Sequence, residues 1–438
     1  MKIAIVGTGI AGLGAAWTLN RVHDVTLYES ADYLGGHANT VEVEVGGRRI
    51  AVDTGFIVYN ERNYPNLVRL FEHLGVPTEP SGMSFAASID DGAFEYAGCL
   101  PGLFVQKRNA VRPRAWRMIR DILRFYREAP ELLRDGGESE TGISLGCFLD
   151  RAGYSRAFVR DHLAPMAAAI WSGPPGALLD FPLHSFVRFF DNHGLLQVKD
   201  RPRWRTVTGG SREYVKRLSA PFAEKVRLKT AVVALERGPA GAVLRDSNGE
   251  AAHYDQVVMA THADQALAIL GSAANPAERA LLGAFRYAQN EAILHQDTAL
   301  MPRRRGVWSS WNYMTRPGQS DERAVSVTYW MNRLQNLDLR IPLFVSLNPC
   351  REPAPESVLG RYRYHHPQYD RRAIEAQAAL NDIQGQERVW FCGSYCGYGF
   401  HEDGLKAGLA VAAALGAEVP WPEAPAPAGW APLKAAAE

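Results

Sequence analysis

Five side chains that can accept or donate a proton are crowded into one short stretch near the end of the chain. Tyr395, Tyr398 and His401 stand there among glycines, and Glu402 and Asp403 follow directly. A histidine in this place could take up a proton that leaves a substrate, with the two carboxylates as competing bases. The same histidine could instead only cap the helix that follows, and the sequence leaves both interpretations open.

The element that must position such a site is predicted by the first 29 residues. Lys2–Val6 is a short apolar run rich in β-branched residues, as expected for a buried parallel strand. A G-x-G-x-x-G turn at Gly7–Gly12 follows, and Val25–Tyr28 is a second strand that ends at Glu29. Such a strand, turn, helix and strand bind the pyrophosphate of a dinucleotide on the helix N-terminus, and the carboxylate accepts hydrogen bonds from the ribose.

A second glycine-rich stretch, Leu34–Thr40, reads LGGHANT and follows the second strand. Its two glycines and small polar residues suit another close approach of the backbone to phosphate or ribityl oxygens. A hairpin that turns at Gly46–Gly47 comes next and ends at Asp53–Gly55. There is no second G-x-G-x-x-G after a strand, which argues against a reductase driven by a nicotinamide cofactor.

These motifs resemble the signature of flavin amine oxidase-like oxidoreductases, a superfamily that includes monoamine oxidases, protoporphyrinogen oxidase and carotenoid desaturases. The resemblance lies in GTGIAGLGAAW, LGGHANT and DTGFIVYN, and later in TVTGGS, YDQVVMAT, VWFCGS and GYGFHEDGLKAG. It implies non-covalent FAD, bound by a Rossmann-like domain assembled from three separated parts of the chain. Ser394 departs from the pattern, because much of the superfamily has an acidic residue there.

The residues that the motifs and the resemblance assign to FAD are mostly small or polar. They are Gly7, Gly9, Ile10, Ala11, Gly12, Glu29, Ser30, Gly36, His37, Ala38, Asn39, Thr54, Gly55, Phe56, Val232, Gly393, Ser394, Gly404 and Leu405. Gly404 and Leu405 would present helix N–H groups to the charge on a reduced flavin. Tyr395, Tyr398 and His401 are the candidate catalytic residues, and no metal site is expected.

The resemblance implies an α/β fold with two domains. The FAD domain is expected in residues 1–80, 205–275 and 385–418, and one α+β substrate domain, with a mixed or antiparallel sheet and a helical insertion, in 81–204 and 276–384. These insertions hold most of the tryptophans, which suits an apolar ligand, although any one of them could simply fill a core. His193 and the pair His365–His366 could reach the site, with a structural role as the default. Residues 419–438 are rich in proline and alanine and are predicted to be disordered.

Composition narrows the class of protein. The net charge of +1 gives no general argument for binding nucleic acid, and the five cysteines are too scattered for a disulfide framework. The N-terminus enters the first strand at once, and no apolar run reaches the ~18 residues of a membrane span. We therefore expect a cytoplasmic protein.

The segment Phe104–Arg127 carries eight lysines and arginines against one acid, Asp121. A helix from Pro113 would place two groups on different faces: Trp116, Ile119, Leu123 and Tyr126 on one, and Arg117, Arg120, Arg124 and Arg127 on the other. A basic amphipathic helix with aromatic residues is typical of binding to a membrane surface, here the inner face of a bacterial membrane. A solvated helix that pairs with acids of its own protein is the alternative.

Beyond the superfamily, FFDNHGLLQVKDRPRWRTVTGGSREYV, WSSWNYM, YHHPQYD and GYGFHEDGL resemble a bacterial subgroup found with cyclopropane-fatty-acid-synthase-type methyltransferases. The subgroup includes a desaturase of methyl-branched acyl chains in phospholipids, on the route to furan fatty acids. The resemblance implies a phospholipid acyl substrate, allylic hydride transfer to flavin and a possible methyltransferase partner. The alternatives are an amine oxidase, a redox-neutral double-bond isomerase and a non-catalytic flavoprotein partner; no lysine stands out by position for amine oxidation.

Overall fold

The structure is a computed structural model of the full chain, and it describes residues 1–134, 142–197, 200–238, 241–318 and 325–421. The predicted disorder of 419–438 therefore lies mostly outside the described residues. Its first residues do not fit that prediction, because the Trp421 ring stacks on Trp17 with 5.7 Å between ring centroids.

The strands of the described residues fall into five sheets. In chain order they are β1 Lys2–Val6, β2 Asp24–Tyr28, β3 Thr40–Val45, β4 Arg48–Asp53, β5 Tyr59–Asn60, β6 Thr78–Pro80, β7 Phe85–Ile89, β8 Phe94–Ala97, β9 Trp204–Val207, β10 Val226–Arg227, β11 Val232–Gly238, β12 Gly241–Asp246, β13 Ala251–Tyr254, β14 Gln256–Met259, β15 Arg286–His295, β16 Trp311–Met314, β17 Val327–Trp330, β18 Phe344–Leu347, β19 Val358–Gln368 and β20 Val389–Phe391.

The helices pack around these sheets, with short 3-10 turns between several of them. They are α1 Ile10–Leu19, α2 Pro65–Leu74, α3 Leu100–Leu103, α4 Pro113–Glu128, α5 Glu131–Arg134, α6 Leu145–Arg151, α7 Arg156–Phe158, α8 Ala164–Trp171, α9 Leu183–Asn192, α10 Arg212–Ser219, α11 Ala263–Leu270, α12 Pro276–Leu282, α13 Met331–Leu334, α14 Arg371–Ala379 and α15 His401–Ala414. Over the described residues, none of these helices is both long and apolar enough to cross a bilayer.

A five-stranded parallel sheet in the order β10-β2-β1-β14-β20 forms the nucleotide-binding half. Its strands come from three distant parts of the chain, which confirms the predicted discontinuous α/β fold. Helices α1 and α15 cross close to this sheet. A Cβ on Gly408 of α15 would come 2.1 Å from the carbonyl oxygen of Ala11, so only a glycine lets the two backbones meet there.

A seven-stranded sheet in the order β19-β15-β18-β17-β16-β7-β8 forms the other half. Its pairs are antiparallel except β16 with β7, which confirms the expected mixed sheet. All its strands come from 81–204 and 276–384, and α3 to α9 form the helical insertion. The small sheet β5-β9-β6 joins residues 59–80 to 204–207, close to two of the predicted domain boundaries, which stay a prediction.

Candidate active site

A cavity of about 810 Å³ lies between the carboxyl ends of the parallel strands and the seven-stranded sheet. Its nucleotide end is lined by the first glycine turn, Glu29, Val232 and Gly393. Its other end is lined by side chains of the seven-stranded sheet and of α8, among them Ile170, Trp311 and Leu347. The carboxyl ends of parallel strands are where α/β proteins bind nucleotides, so the cavity lies where the sequence predicts.

The glycine turn that opens the cavity is fixed by three different constraints. Gly7 has φ of +100°, and a Cβ there would lie 2.7 Å from the carbonyl oxygen of Ala260. A Cβ on Gly12 would lie 2.0 Å from the oxygen of Gly7, so α1 packs directly on the strand. Gly9 is different, since a Cβ there meets nothing within 4 Å. The free space beside Gly9 and the uncapped N-terminus of α1 fit a pyrophosphate.

Glu29 is held rigidly at the end of β2. Its Oε2 accepts hydrogen bonds from the Thr8 backbone N–H at 3.1 Å and from the Thr8 hydroxyl at 2.5 Å, and its Oε1 accepts one from Ala31 N at 2.9 Å. The carboxylate lines the cavity with lone pairs still available. This arrangement fits a ribose diol as predicted from the sequence.

All but four of the predicted FAD contacts line the cavity. The residues in its wall are Gly7, Gly9, Ile10, Ala11, Glu29, Ser30, Gly36, His37, Thr54, Gly55, Phe56, Val232, Gly393, Ser394 and Gly404. Gly12 lies behind the wall for the packing reason given above. Leu405 is fully buried against α1, where a Cβ on Gly14 would come 2.6 Å from its Cδ1.

Ala38 and Asn39 also support the wall from behind. The Ala38 N–H donates to the Gly35 oxygen at 3.0 Å, which closes the LGGHANT turn. The Asn39 side chain donates to the Tyr364 hydroxyl at 3.1 Å, and that hydroxyl is also 2.7 Å from the Thr54 hydroxyl. Tyr364 of β19 therefore ties the seven-stranded sheet to the nucleotide motifs.

Of the three candidate catalytic residues, Tyr395 and His401 line the cavity and Tyr398 does not. The Tyr398 side chain lines a second cavity of about 1170 Å³, and its carbonyl oxygen accepts a hydrogen bond from Trp171 Nε1 at 3.3 Å. Tyr395 is almost fully buried, and its hydroxyl has no hydrogen-bond partner among the described residues. Burial raises the pKa of the Tyr395 hydroxyl well above its usual value, so it stays protonated.

His401 is held in the cavity wall as a neutral imidazole. Its Nε2 lies 2.9 Å from the Tyr214 hydroxyl, and its ring stacks on Phe56 with 3.7 Å between centroids. Burial, assisted by the nearby His37, lowers the pKa of His401 to about 3. His401 is also the first residue of helix α15. Its place in the cavity wall is compatible with a proton acceptor, and its place at the helix start is compatible with a capping role.

The two competing carboxylates are engaged elsewhere. Glu402 accepts hydrogen bonds from Asn66 N at 2.9 Å, Asn66 Nδ2 at 2.7 Å and Leu67 N at 3.0 Å, so it caps the start of α2. Asp403 accepts one from Phe400 N at 2.9 Å and lines the second cavity. Burial raises the pKa of Asp403 to about 7. Neither side chain lines the nucleotide-binding cavity.

His366 is a site residue to which the sequence gave only a default structural role. It lines the cavity from β19, and the Asn290 amide donates to its Nδ1 at 2.8 Å. The Asn290 oxygen accepts from Asn348 Nδ2 at 2.6 Å, and the Asn348 oxygen accepts from Glu291 N at 2.9 Å. The chain of donors fixes the orientation of both amides. Nδ1 must therefore be an acceptor, and His366 carries its proton on Nε2.

One part of the cavity wall on the seven-stranded sheet and α8 is apolar and is called the apolar arm below, whereas strand β19 of the same sheet adds Arg363, His365 and His366 to the wall. The apolar arm is formed by Ala169, Ile170, Ala292, Trp311, Tyr329, Val345 and Leu347. The charged residues of the whole cavity wall, within the described part of the chain, are Glu29 and Arg363. That wall contains neither a lysine nor a cysteine of the described residues. Cys396 lines the second cavity instead, and burial raises its pKa to about 12.

The fold and the site define a dinucleotide-binding protein, and comparison with known proteins gives its family. Residues 10–290 match the family of flavin containing amine oxidoreductases, and the chain belongs to it. Over 260 residues it is 26% identical to AofH of Mycobacterium tuberculosis, which is described as a flavin-containing monoamine oxidase. That match covers 57% of this chain and 55% of the relative, so it spans about half the length of the relative.

Solved structures share the fold over almost the whole chain. A putrescine oxidase with bound putrescine matches with a TM-score of 0.64 at 14% sequence identity. The match covers 94% of this chain and 98% of the putrescine oxidase chain. A fatty acid isomerase from P. acnes that produces CLA matches with a TM-score of 0.63 at 15% sequence identity. That match covers 93% of this chain and 96% of the isomerase chain. At these identities the likeness concerns the fold alone.

The family implies FAD as the cofactor, and the residues of this chain fit it. The uncapped start of α1 and the space at Gly9 fit the pyrophosphate, and the Glu29 carboxylate fits the adenosine ribose. When bound, FAD supplies a two-electron acceptor for a hydride. The protein contributes the positions of the residues in the cavity wall.

Proposed function

We propose that this oxidoreductase desaturates a methyl-branched, unsaturated acyl chain of a phospholipid, a step on the route to furan fatty acids. The substrate would lose a hydride from an allylic carbon and a proton from the next carbon, and a new double bond would form between the two. Oxygen or a membrane electron carrier would reoxidise the enzyme. The observation that carries the proposal is the apolar arm, together with the motif resemblance to a desaturase subgroup.

The apolar arm suits an acyl chain for an energetic reason. Each methylene that moves from water into an apolar wall gains about 0.8 kcal/mol, so several methylenes would bind without any charged contact. The arm offers aliphatic and aromatic side chains, such as Ile170, Val345 and Trp311. His366 adds one N–H donor at the cavity wall. A hydrocarbon with a single polar group matches this distribution better than a polyamine does.

The proton that leaves the second carbon needs an acceptor within the cavity. Glu402 and Asp403 do not line it, and Nε2 of His366 already carries a proton. Of the bases that the sequence places beside α15, His401 is therefore the one that could receive the proton directly. Its stacking on Phe56 would keep the imidazole in one orientation during the step.

Amine oxidation is the second candidate, and the aromatic part of the wall favours it. Trp311 and Tyr329 meet edge to face with 5.2 Å between ring centroids, and such surfaces can enclose a neutral amine. The mycobacterial relative described as a monoamine oxidase adds support. The absence of a lysine or a second carboxylate from the described cavity wall weighs against it. A double-bond isomerase and a non-catalytic partner of a lipid methyltransferase remain alternatives for the same test.

The test is anaerobic reduction of the FAD-loaded protein. A lipid extract should bleach the flavin absorbance and yield an acyl chain that is lighter by two hydrogens. Bleaching by simple amines instead would replace the desaturase by an amine oxidase. A product of unchanged mass with a moved double bond would indicate an isomerase. If neither lipids nor amines reduce the flavin, the remaining hypothesis is a non-catalytic flavoprotein partner of a lipid methyltransferase.

Two matched variants test the apolar arm itself. Ile170→Trp should narrow the arm and lower the rate with long acyl chains at least tenfold, while small amines, if they react, keep theirs. Met166 lies one turn earlier on α8 and outside the cavity wall, so Met166→Trp is the control. Equal effects of the two variants on acyl oxidation would mean that the arm does not hold the chain.

A further inference from the structure

One surface of the protein combines exposed apolar side chains with cations. We call it the basic patch. Its residues are Leu100, Lys107, Arg108, Val111, Trp116, Arg117, Arg120, Leu123 and Arg127. The four apolar members are among the most exposed large hydrophobic residues of the described chain, with exposed fractions of 75% for Leu100, 82% for Val111, 53% for Trp116 and 55% for Leu123.

Helix α4 builds most of this patch, and it does so differently from the sequence prediction. The helix itself is confirmed over Pro113–Glu128, and the face that it buries consists of Ala115, Met118, Asp121 and Phe125. Trp116 and Leu123, which were expected on a different face from Arg120 and Arg127, are exposed. Together with Arg120 and Arg127 they follow the spacing of one helical stripe, so apolar and basic side chains alternate along the exposed face.

Trp116 is fixed in this exposed position. Its Nε1 donates to the Ala110 oxygen at 2.8 Å, and its ring packs against Phe104 with 5.5 Å between centroids. The start of α4 is thereby locked onto the 3-10 turn Lys107–Val111, which carries the exposed Val111. The exposed side chains of Val111 and Trp116 are therefore presented by one rigid unit.

Only some of the cations of the patch pair with acids among the described residues. Arg124 and Arg127 contact Glu128, Arg114 contacts Asp161 and Arg120 contacts the buried Asp121. Within the described part of the chain, Lys107, Arg108 and Arg117 have no acid at ion-pair distance and lie exposed. The alternative of a solvated face that pairs with its own acids thus holds for part of the helix only.

We propose that the basic patch docks this protein on an anionic phospholipid bilayer. Val111, Trp116 and Leu123 would enter the interface, and Lys107, Arg108 and Arg117 would contact lipid phosphates. Charge complementarity favours an anionic bilayer as the partner of the basic patch. Its exposed apolar side chains would meet the acyl chains, and the cations beside them would meet the anionic headgroups. The inference rests on the proposed function for its choice of a phospholipid surface. It adds where the enzyme would meet its substrate.

The experiment is sedimentation of the FAD-loaded protein with vesicles of saturated phosphatidylcholine, with or without phosphatidylglycerol. Saturated lipids cannot be desaturated at an allylic carbon, so the result does not depend on turnover. We expect binding to the anionic vesicles and little to the neutral ones. Lys107→Gln, Arg108→Gln and Arg117→Gln together should weaken binding about a hundredfold, at roughly fivefold per cation. Val111→Ser with Leu123→Ser should also weaken it, by at least about tenfold.

Matched controls separate the patch from total charge and total hydrophobicity. Lys229→Gln, Arg351→Gln and Arg372→Gln remove the same charge from exposed positions elsewhere, and Val22→Ser with Leu339→Ser removes similar exposed apolar groups. Both control proteins should bind like the parent. Equal loss in patch and control variants, or no preference for anionic vesicles, would overturn the proposal. If the desaturase assignment alone fails, the protein still binds the saturated anionic vesicles.

Discussion

The Asn290 amide nitrogen lies 2.8 Å from Nδ1 of His366, and this contact determines which nitrogen of a cavity-lining histidine carries the proton. The amide cannot turn around, because its oxygen is 2.6 Å from Asn348 Nδ2. Burial, with contributions from His37 and His365, lowers the pKa of His366 to about 3, so the ring stays neutral. His366 is therefore a fixed N–H donor, and Asn290 and Asn348 are its positioning residues.

Asn290→Ala should release this tautomer without emptying the cofactor site. We expect about a tenfold lower rate of flavin reduction by substrate, the cost of one lost hydrogen bond, with unchanged FAD content. Nitrogen NMR of the histidines should show a mixture of tautomers for His366. Asn248→Ala, in the exposed turn between β12 and β13, is the control. A single Nε2–H tautomer and an unchanged rate in Asn290→Ala would contradict the assignment.

Two glycines of the first turn should fail in different ways. Gly9→Ala adds a Cβ that meets no protein atom within 4 Å, so the protein should fold normally but lose FAD affinity at least tenfold. Gly12→Ala adds one that would lie 2.0 Å from the Gly7 oxygen, so it should lower stability before it affects binding. Thermal unfolding of the apoproteins and FAD titration separate the two outcomes. Wild-type FAD affinity in a folded Gly9→Ala protein would show that the pyrophosphate does not bind there.

Much of the nucleotide half could be predicted from the sequence, because its contacts are local. Gly7, Gly9 and Glu29 are joined by one strand, turn and helix, so their spacing alone implies their geometry. The substrate half has no such rule. Asn290 and His366 are far apart in sequence and meet because β15 and β19 pair in one particular register, which no motif encodes.

The separation of Tyr398 from the other candidate catalytic residues has a physical reason of the same kind. Tyr395, Tyr398 and His401 are neighbours in sequence, but the turn before α15 sends Tyr398 to the opposite side, toward Phe189. For α4, the sequence prediction placed Trp116 and Leu123 on a different face from Arg120 and Arg127, whereas the structure places all four along one exposed stripe. The face of α4 that packs on the protein carries the smaller Ala115 and Met118. Hydrophobic periodicity alone does not distinguish a helix face that packs on the protein from one that faces outward.

Glu402 should be a structural residue and not the base of the reaction. Its carboxylate accepts three hydrogen bonds from Asn66 and Leu67, so Glu402→Ala should lower the free energy of unfolding by about 2–4 kcal/mol. The pH dependence of flavin reduction should keep its shape in Glu402→Gln, since the cavity wall is unchanged. Urea unfolding and stopped-flow reduction over a pH series measure the two effects. A shifted rate profile with normal stability would return Glu402 to the list of candidate bases.

His295 should make the stability of the protein sensitive to acid. It is fully buried, its Nδ1 accepts a hydrogen bond from Asp297 N at 3.1 Å, and its Nε2 lies 2.8 Å from the Ser346 hydroxyl. Burial lowers the pKa of His295 to about 4, against the opposing effect of the Asp297 carboxylate. In the unfolded chain, where the pKa is about 6.5, the imidazole binds a proton at a pH at which the folded protein does not. The contribution of His295 to stability is therefore present above pH ~6.5 and is lost as the pH falls toward 4. Between pH 7 and pH 5 this contribution to the free energy of unfolding amounts to about 2 kcal/mol.

His295→Gln should therefore reduce the change in the free energy of unfolding between pH 7 and pH 5 by that amount. His253→Gln, at an exposed position, should leave this change as it is in the parent. Identical pH curves for the parent and His295→Gln would show that this histidine does not carry the effect.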